Sequence, residues 1–97
     1  MDELYELSGI AFVWDSAKAQ SNRSKHRVTF EQAAEAFFDP FLRVVDASLE
    51  EEARDAVIGM DERLNLLFVV HIEIAGEQFR IISARRATPQ ERRIYES

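Results

Sequence analysis

The sequence predicts a small α+β domain in which an antiparallel β-sheet is packed against helices. An apolar segment and two helical segments come first, four extended segments joined by turns follow, and a charged helix closes the chain. Strands joined by turns favour an antiparallel meander. The 97 residues, 46% of them hydrophobic, suffice for one modest core. We therefore expect a single domain over residues 1–97, with residues 1–9 as an N-terminal extension.

The first strand and the first helix lie next to each other in the sequence. "IAFVW", residues 10–14, is short, apolar and partly β-branched, which is typical of a strand. Asp15 or Ser16 can cap a helix that runs to about Lys25, because short polar side chains accept hydrogen bonds from the free N–H groups of a first turn.

"VTFEQAAEAFFDP" gives the clearest helical pattern. Thr29 is a good N-cap, and Gln32 stands three residues later, which is the spacing of a capping box. Pro40 prevents the helix from continuing and disfavours helical geometry at Asp39. The helical spacing predicts one apolar stripe, formed by Phe30, Ala33, Ala34, Phe37 and Phe38.

Four extended segments follow, and the strongest strand signal is "LLFVVHIEI". The predicted strands cover residues 41–46, 54–60, 66–74 and 78–85. Alternation in the third of them predicts a core face of Leu66, Phe68, Val70, Ile72 and Ile74. His71 then falls on the less apolar face with Leu67, Val69 and Glu73.

The last helix begins just after a pair of arginines. Thr88 is its predicted N-cap, Pro89 takes the first helical position, and Glu91 completes a second capping box. If the preceding strand extends through Arg86, then Arg85 and Arg86 point to opposite faces of the sheet. A helix N-terminus and an arginine fork both suit phosphate, although most arginines on a protein surface are simply solvated.

Composition narrows the classes of function. No cysteine is present, which excludes disulfides and thiolate sites, and two histidines make a weak case for a metal. The acidic start and the lack of a membrane-length apolar run predict a cytoplasmic protein. A net charge of −6 argues against a general nucleic-acid binder, yet residues 16–30 hold four basic residues and no acid. Residues 78–93 hold five arginines and one acid.

Both histidines have two readings. His71 could transfer protons, but a half-buried histidine bonded to a neighbouring strand is the favoured interpretation. His26 follows Lys25 at a helix end, where a basic residue also stabilises the last turn through the helix dipole.

Several motifs in order resemble one family, the BrnT toxins. They are "VWDSAKAQSNRSKHRVTFEQAAEAFFDP", "RDAVIGM", "NLLFVVHIE" and "RIISARRATPQERRIYE", and together they span roughly residues 11–96. The chain departs from the family at Arg27, where many members have glycine, and in its acidic balance.

The resemblance implies a metal-independent endoribonuclease toxin of a type II toxin–antitoxin pair, with a RelE-like fold and no cofactor. The implied partner is a BrnA-like ribbon-helix-helix antitoxin, and operator DNA is bound only through it. The substrate is RNA, cleavage inhibits translation, and no membrane is involved. The implied catalytic residues are Lys25, His26, Arg54, Arg85 and Arg86. RNA-binding or supporting roles are expected for His71, Arg80, Glu91 and Tyr95.

The chemistry of RNA cleavage agrees with this set. The 2′-hydroxyl can attack the adjacent phosphate, so the enzyme must position that group and stabilise its added negative charge. We expect Arg54, Arg86 and Lys25 to hold the phosphate, and Arg85 either to join them or to brace the last helix. His26 or His71 would transfer the proton. The alternatives are a catalytically inactive binding module that serves as antitoxin partner and co-repressor, and, less favoured, a direct DNA binder.

Overall fold

A computed structural model describes residues 1–50 and 52–97. It contains a six-stranded mixed sheet with the strand order β1-β2-β6-β5-β4-β3, together with three α-helices. The strands are β1 (Asp2–Leu7), β2 (Ile10–Asp15), β3 (Arg43–Asp46), β4 (Asp55–Met60), β5 (Leu66–Ile74) and β6 (Gln78–Arg86). The helices are α1 (Ser16–His26), α2 (Phe30–Glu35), which continues as a 3-10 turn (Ala36–Phe38), and α3 (Pro89–Glu96).

The predicted meander is correct for β3 to β6, but a purely antiparallel sheet is wrong. Strand β2 pairs with β6 in parallel, over Ala11–Val13 and Gln78–Arg80. In addition, the segment expected to be an N-terminal extension forms β1, which pairs with β2 as an antiparallel hairpin. Ser8 and Gly9 turn this hairpin with φ of 50° and 85°, as a two-residue turn with positive φ at both positions requires.

The capping signals place the helices correctly. Asp15 caps α1 by accepting the Lys18 N–H at 3.0 Å. Both predicted capping boxes are present, at Thr29 and at Thr88. The second helix ends earlier than its apolar stripe suggests, since Ala36–Phe38 tighten into 3-10 geometry and Phe38 is largely exposed.

The predicted faces of β5 are inverted. Leu67 and Val69 are fully buried in the core with α2, and His71 lies on the same side, whereas Phe68 and Val70 are half-buried on the other. Alternation failed here because both faces are covered. Helices α1 and α2 pack on one face. Helix α3 packs against β4, and its Glu91 accepts a hydrogen bond from Arg85 on the other face.

A bulge resets β6 in its middle. Val70 pairs with Ser83 but His71 pairs with Ile81, so Ile82 is an extra residue. Ile81 and Ala84 therefore both face the helices, although strict alternation predicts opposite faces. On the same side, Gly59 lies so close to the 3-10 turn that an added Cβ would approach the Ala36 carbonyl oxygen to 2.6 Å, so no larger residue fits there.

Candidate functional site

A small basic groove lies between the C-terminal half of α1 and the free edge of β6. It encloses about 200 Å³. Its ionisable lining residues are Lys18, Lys25 and His26, and no carboxylate contributes to it. Ser83 and the bulge residue Ile82 form the opposite wall. We call this the α1 groove; a cavity whose lining carries basic and hydroxyl groups but no carboxylate is suited to an anion.

Asn22 forms hydrogen bonds to the edge of β6 in the place that a neighbouring strand would take. Its side-chain amide donates to the Ala84 carbonyl at 2.8 Å, and its oxygen accepts the Ala84 N–H at 3.0 Å. A further hydrogen bond of 3.0 Å goes to the Val28 carbonyl. Helix α1 is thereby fixed to β6 beyond the point where β2 stops pairing. Sequence reasoning gave Asn22 no role, although helical spacing places it on one stripe with Ala19 and His26.

The turn after α1 carries the next basic residue. Arg27 caps the helix with φ of 59°, in the left-handed region, and donates its N–H to the Arg23 carbonyl. A left-handed cap is the position at which glycine is preferred.

Arg27 and Arg86 line a second groove of about 440 Å³, which we call the Arg86 groove. The guanidinium of Arg86 donates to the Asn65 side-chain oxygen at 2.8 Å. Three carboxylates, those of Glu31, Glu35 and Asp61, share the lining, so its charge is mixed.

Asp61 organises this second groove from a buried position. Burial opposes its ionisation, but hydrogen bonds from Gln32 and Asn65 and from backbone N–H groups outweigh burial and lower its pKa below the ordinary value. The bond from Gln32 measures 2.6 Å.

Arg85 points to the opposite face from Arg86, as alternation predicts. It forms a bidentate ion pair with Glu91, with N–O distances of 2.8 and 2.9 Å, and its guanidinium lies 4.4 Å above the Phe68 ring. The hydrogen bond from Arg85 lowers the pKa of Glu91, although burial opposes this. Of the two roles expected for Arg85, the contacts favour bracing of α3.

The remaining predicted residues lie outside both grooves. Arg54 precedes β4, two strands from β6, and pairs with Glu52 at 2.8 Å. Arg80 pairs with Asp2 at 2.7 Å. The Tyr95 hydroxyl donates to Asp39 at 2.6 Å, and burial together with this bond raises the pKa of Tyr95 to about 12.

His71 is a core residue, with only 4% of its surface exposed. Its ring packs edge-on to Phe37 and Phe79, with centroid distances of 4.9 and 5.6 Å, and Nδ1 lies 3.3 Å from the Val69 carbonyl oxygen. Burial lowers the pKa of His71 below 6.5, although the Val69 carbonyl and nearby Asp55 and Glu73 oppose this. Of the two histidines, only His26 lines the α1 groove.

The described residues contain neither a metal-ligand cluster nor a membrane-spanning helix. Over residues 1–50 and 52–97, no three His, Asp or Glu side chains are grouped so that they could hold a metal ion. Over the same ranges, no helix has the length and apolar character needed to cross a membrane.

Both the sequence and the fold of the chain are similar to those of known toxins. The model of a family described as "Ribonuclease toxin, BrnT, of type II toxin-antitoxin system" matches residues 14–91. The fold is similar to the 1.1 Å crystal structure of the Brucella abortus ribonuclease toxin BrnT, with a TM-score of 0.53 and 25% identity. That match covers 77% of this chain and 92% of the Brucella chain. No curated protein matches the chain.

Proposed function

We infer the function from one premise: this chain belongs to the BrnT family of ribonuclease toxins of type II toxin–antitoxin systems. We propose that it cleaves RNA at the α1 groove without a metal ion. The lining of that groove supports this most strongly, because Lys18, Lys25 and His26 converge there with no acid beside them. A phosphodiester is the anion that an RNA substrate would bring to such a place.

The proposed reaction is an internal transfer of the phosphate. The 2′-oxygen forms a bond to phosphorus and loses its proton to neutral His26, and the bond from phosphorus to the 5′-oxygen breaks. The leaving 5′-oxygen takes a proton from solvent water, and a 2′,3′-cyclic phosphate remains on the upstream product. Lys25 and Lys18 stabilise the negative charge that develops on the phosphate oxygens, as cations placed beside a developing charge do. His26, which lines the groove beside Lys25, is the general base.

Arg27 and Arg86 extend the basic surface beyond His26. Arg27 follows His26 directly in the sequence, and its side chain lines the Arg86 groove together with that of Arg86. We assign the two arginines to a flanking phosphate, which would bring the two basic stretches of the sequence together on one RNA strand. Arg54, beyond β5, has no part in this phosphate step, and Arg85 and Glu91 support α3.

The remaining features of the proposal follow from the family. We propose a RelE-like fold, action in the cytoplasm, and inhibition of translation through RNA cleavage. The proposed partner is a BrnA-type ribbon-helix-helix antitoxin, through which the pair binds operator DNA. The net charge of −6 makes direct DNA binding by this chain alone unfavourable.

A cleavage assay with a chelator tests the proposal. Purified protein is incubated with a mixed-sequence RNA in excess EDTA, and the ends of the products are identified. We expect cleavage to continue and the upstream products to end in 2′,3′-cyclic phosphate. Cleavage that stops in EDTA and returns with a divalent metal would contradict the metal-free mechanism.

A second candidate is the inactive binding module and co-repressor. The ion pair of Arg85 with Glu91 favours it, because it leaves one of the family's expected catalytic arginines engaged. No cleavage by the protein alone or in a translating extract, together with tight antitoxin binding, would establish this alternative.

A further inference from the structure

A groove larger than the α1 groove lies apart from it and has an apolar, acidic lining. It encloses about 630 Å³ and is lined by the segment that follows α2, the end of β4 and the turn after it. Three of its apolar side chains are strongly exposed: Phe38 at 41%, Phe41 at 72% and Leu64 at 76%. Apolar side chains that are exposed together in a groove with a polar rim are typical of a site of protein association. We call it the apolar groove.

The wall that presents Phe41 is held by hydrogen bonds. Asp39 accepts the N–H groups of Phe41 at 2.9 Å and Met60 at 2.8 Å, in addition to the Tyr95 hydroxyl. Burial opposes ionisation of Asp39, but these bonds lower its pKa below the ordinary value. A preformed surface loses little conformational entropy when a partner binds.

Carboxylates surround the apolar centre. Glu35, Asp39, Asp61 and Glu62 all line the groove. Within residues 1–50 and 52–97, none of these four forms an ion pair; Asp2, Glu52, Glu91 and Glu96 pair with arginine side chains, and Asp15 pairs with the N-terminal amine of Met1. The groove therefore repels phosphate and attracts cations. Its occupant must combine apolar anchors with lysine or arginine, which describes a polypeptide segment and not RNA.

We infer that the apolar groove is the docking site of the antitoxin, which inserts apolar side chains between Phe41 and Leu64 and places basic residues against Glu35 and Glu62. This rests on the proposed function, which supplies the antitoxin. An antitoxin segment that combines apolar residues with lysine or arginine would match both the apolar centre and the carboxylate rim of the groove. Glu35 and Asp61 also line the Arg86 groove, so a segment seated here reaches the border of the proposed RNA path.

Binding of the full-length antitoxin encoded beside the toxin tests the inference. Its affinity is measured by calorimetry for the unaltered toxin and for the Phe41→Asp and Glu62→Lys variants, at low and high salt. Leu49→Asp is the matched control, because Leu49 is 66% exposed and lies outside the groove. We expect each groove variant to weaken binding at least about tenfold, since buried aromatic anchors dominate interfaces, and the control to stay within about twofold.

RNA cleavage by each free variant separates this inference from the proposed function. Phe41 and Glu62 are exposed and line neither the α1 groove nor the Arg86 groove, so we expect their variants to keep the melting temperature and the cleavage rate of the unaltered protein. Groove variants that bind the antitoxin as tightly as the Leu49→Asp control would overturn the inference while leaving the ribonuclease intact. A mixed-sequence RNA that loses affinity for Phe41→Asp would also overturn it, because the groove would then hold RNA.

Discussion

Adjacent residues of a strand can have different roles because their side chains point to opposite faces of the sheet. Arg85 and Arg86 are adjacent, yet one is bound to Glu91 over the Phe68 ring and the other reaches Asn65 at the edge of a groove. Two fixed charges therefore stand where strand β6 ends because one anchors α3 and the other faces a different surface. Residue type alone could not distinguish these roles, whereas the period of two of the strand predicted that the side chains diverge.

The Arg85–Glu91 pair is predicted to stabilise the fold through its charge. Glu91→Gln keeps an acceptor for the capping box but removes the charge, and we expect the free energy of unfolding to fall by about 1 kcal/mol, a value already reduced for the partial exposure of Arg85. Urea unfolding measures this. Glu96→Gln in the same helix, with its exposed pair at 3.8 Å, is the control and should change stability by less than about 0.5 kcal/mol.

The pH dependence of that difference has a definite sign. Because the folded pKa of Glu91 is lowered, its stabilising effect is present above the unfolded value of 4.5 and is lost as the pH falls below it. The gap between the unaltered protein and Glu91→Gln should therefore narrow in acid. A gap that is constant with pH, or a large loss of cleavage without loss of stability, would contradict a structural role.

His71 is predicted to make the protein sensitive to mild acid. Its folded pKa is lowered by burial, so its contribution to stability is complete above 6.5 and declines as the pH falls below that value, where the unfolded chain takes up a proton more readily. His71→Leu removes this pH-dependent contribution to the free energy of unfolding. We expect the urea midpoint of the variant to drop less between pH 7.5 and 5.5 than that of the unaltered protein, with the cleavage rate preserved. A variant that folds but cannot cleave RNA would instead make His71 catalytic.

At the scale of elements, Asn22 is predicted to join α1 to β6. Asn22→Leu keeps a similar shape but leaves the N–H and C=O of Ala84 without their partner, so we expect a loss of about 3 kcal/mol in unfolding free energy. Denaturant unfolding compares it with Gln20→Ala, an exposed change in the same helix that should cost no more than about 0.5 kcal/mol. Equal stability of the two variants would show that α1 is held by other contacts.

Local chemistry determined which elements could be predicted. Strand β5 begins and ends with its segment rich in aliphatic and aromatic residues, and both capping boxes formed because their atoms lie within four residues of each other. Strand β1 escaped prediction because its acidic sequence, DELYEL, resembles a solvated segment and pairs only along one edge. The β2–β6 pairing, the bulge at Ile82 and the inverted faces of β5 depend on partners distant in sequence, which a local period cannot reveal.

The same limit applies to the candidate site. The sequence placed Lys25 and His26 together because they are neighbours at a helix end, but it could not show that Arg54 lies beyond β5 or that His71 is enclosed by aromatic rings. Asn22 and Lys18 became recognisable only once β6 was seen to face α1.

At the scale of the whole molecule, charge is segregated despite the net value of −6. The α1 groove is lined by two lysines and a histidine with no carboxylate, the charge of the Arg86 groove is mixed, and the apolar groove carries four carboxylates. An acidic protein can thus present one surface to RNA and another to a basic partner, since an exposed charge is screened beyond about 10 Å at 0.1 M salt.

The most direct test of this account is the rate of RNA cleavage by Lys25→Ala and His26→Gln proteins, measured beside Arg23→Ala. Arg23 is an exposed basic residue of the same helix that does not line the α1 groove, so it controls for the loss of one nearby positive charge. We predict that His26→Gln lowers the rate at least about 100-fold, that Lys25→Ala lowers it at least about tenfold, and that Arg23→Ala stays within about threefold, with all three folded. Cleavage by His26→Gln at the rate of the unaltered protein would contradict the assignment of the active site to the α1 groove.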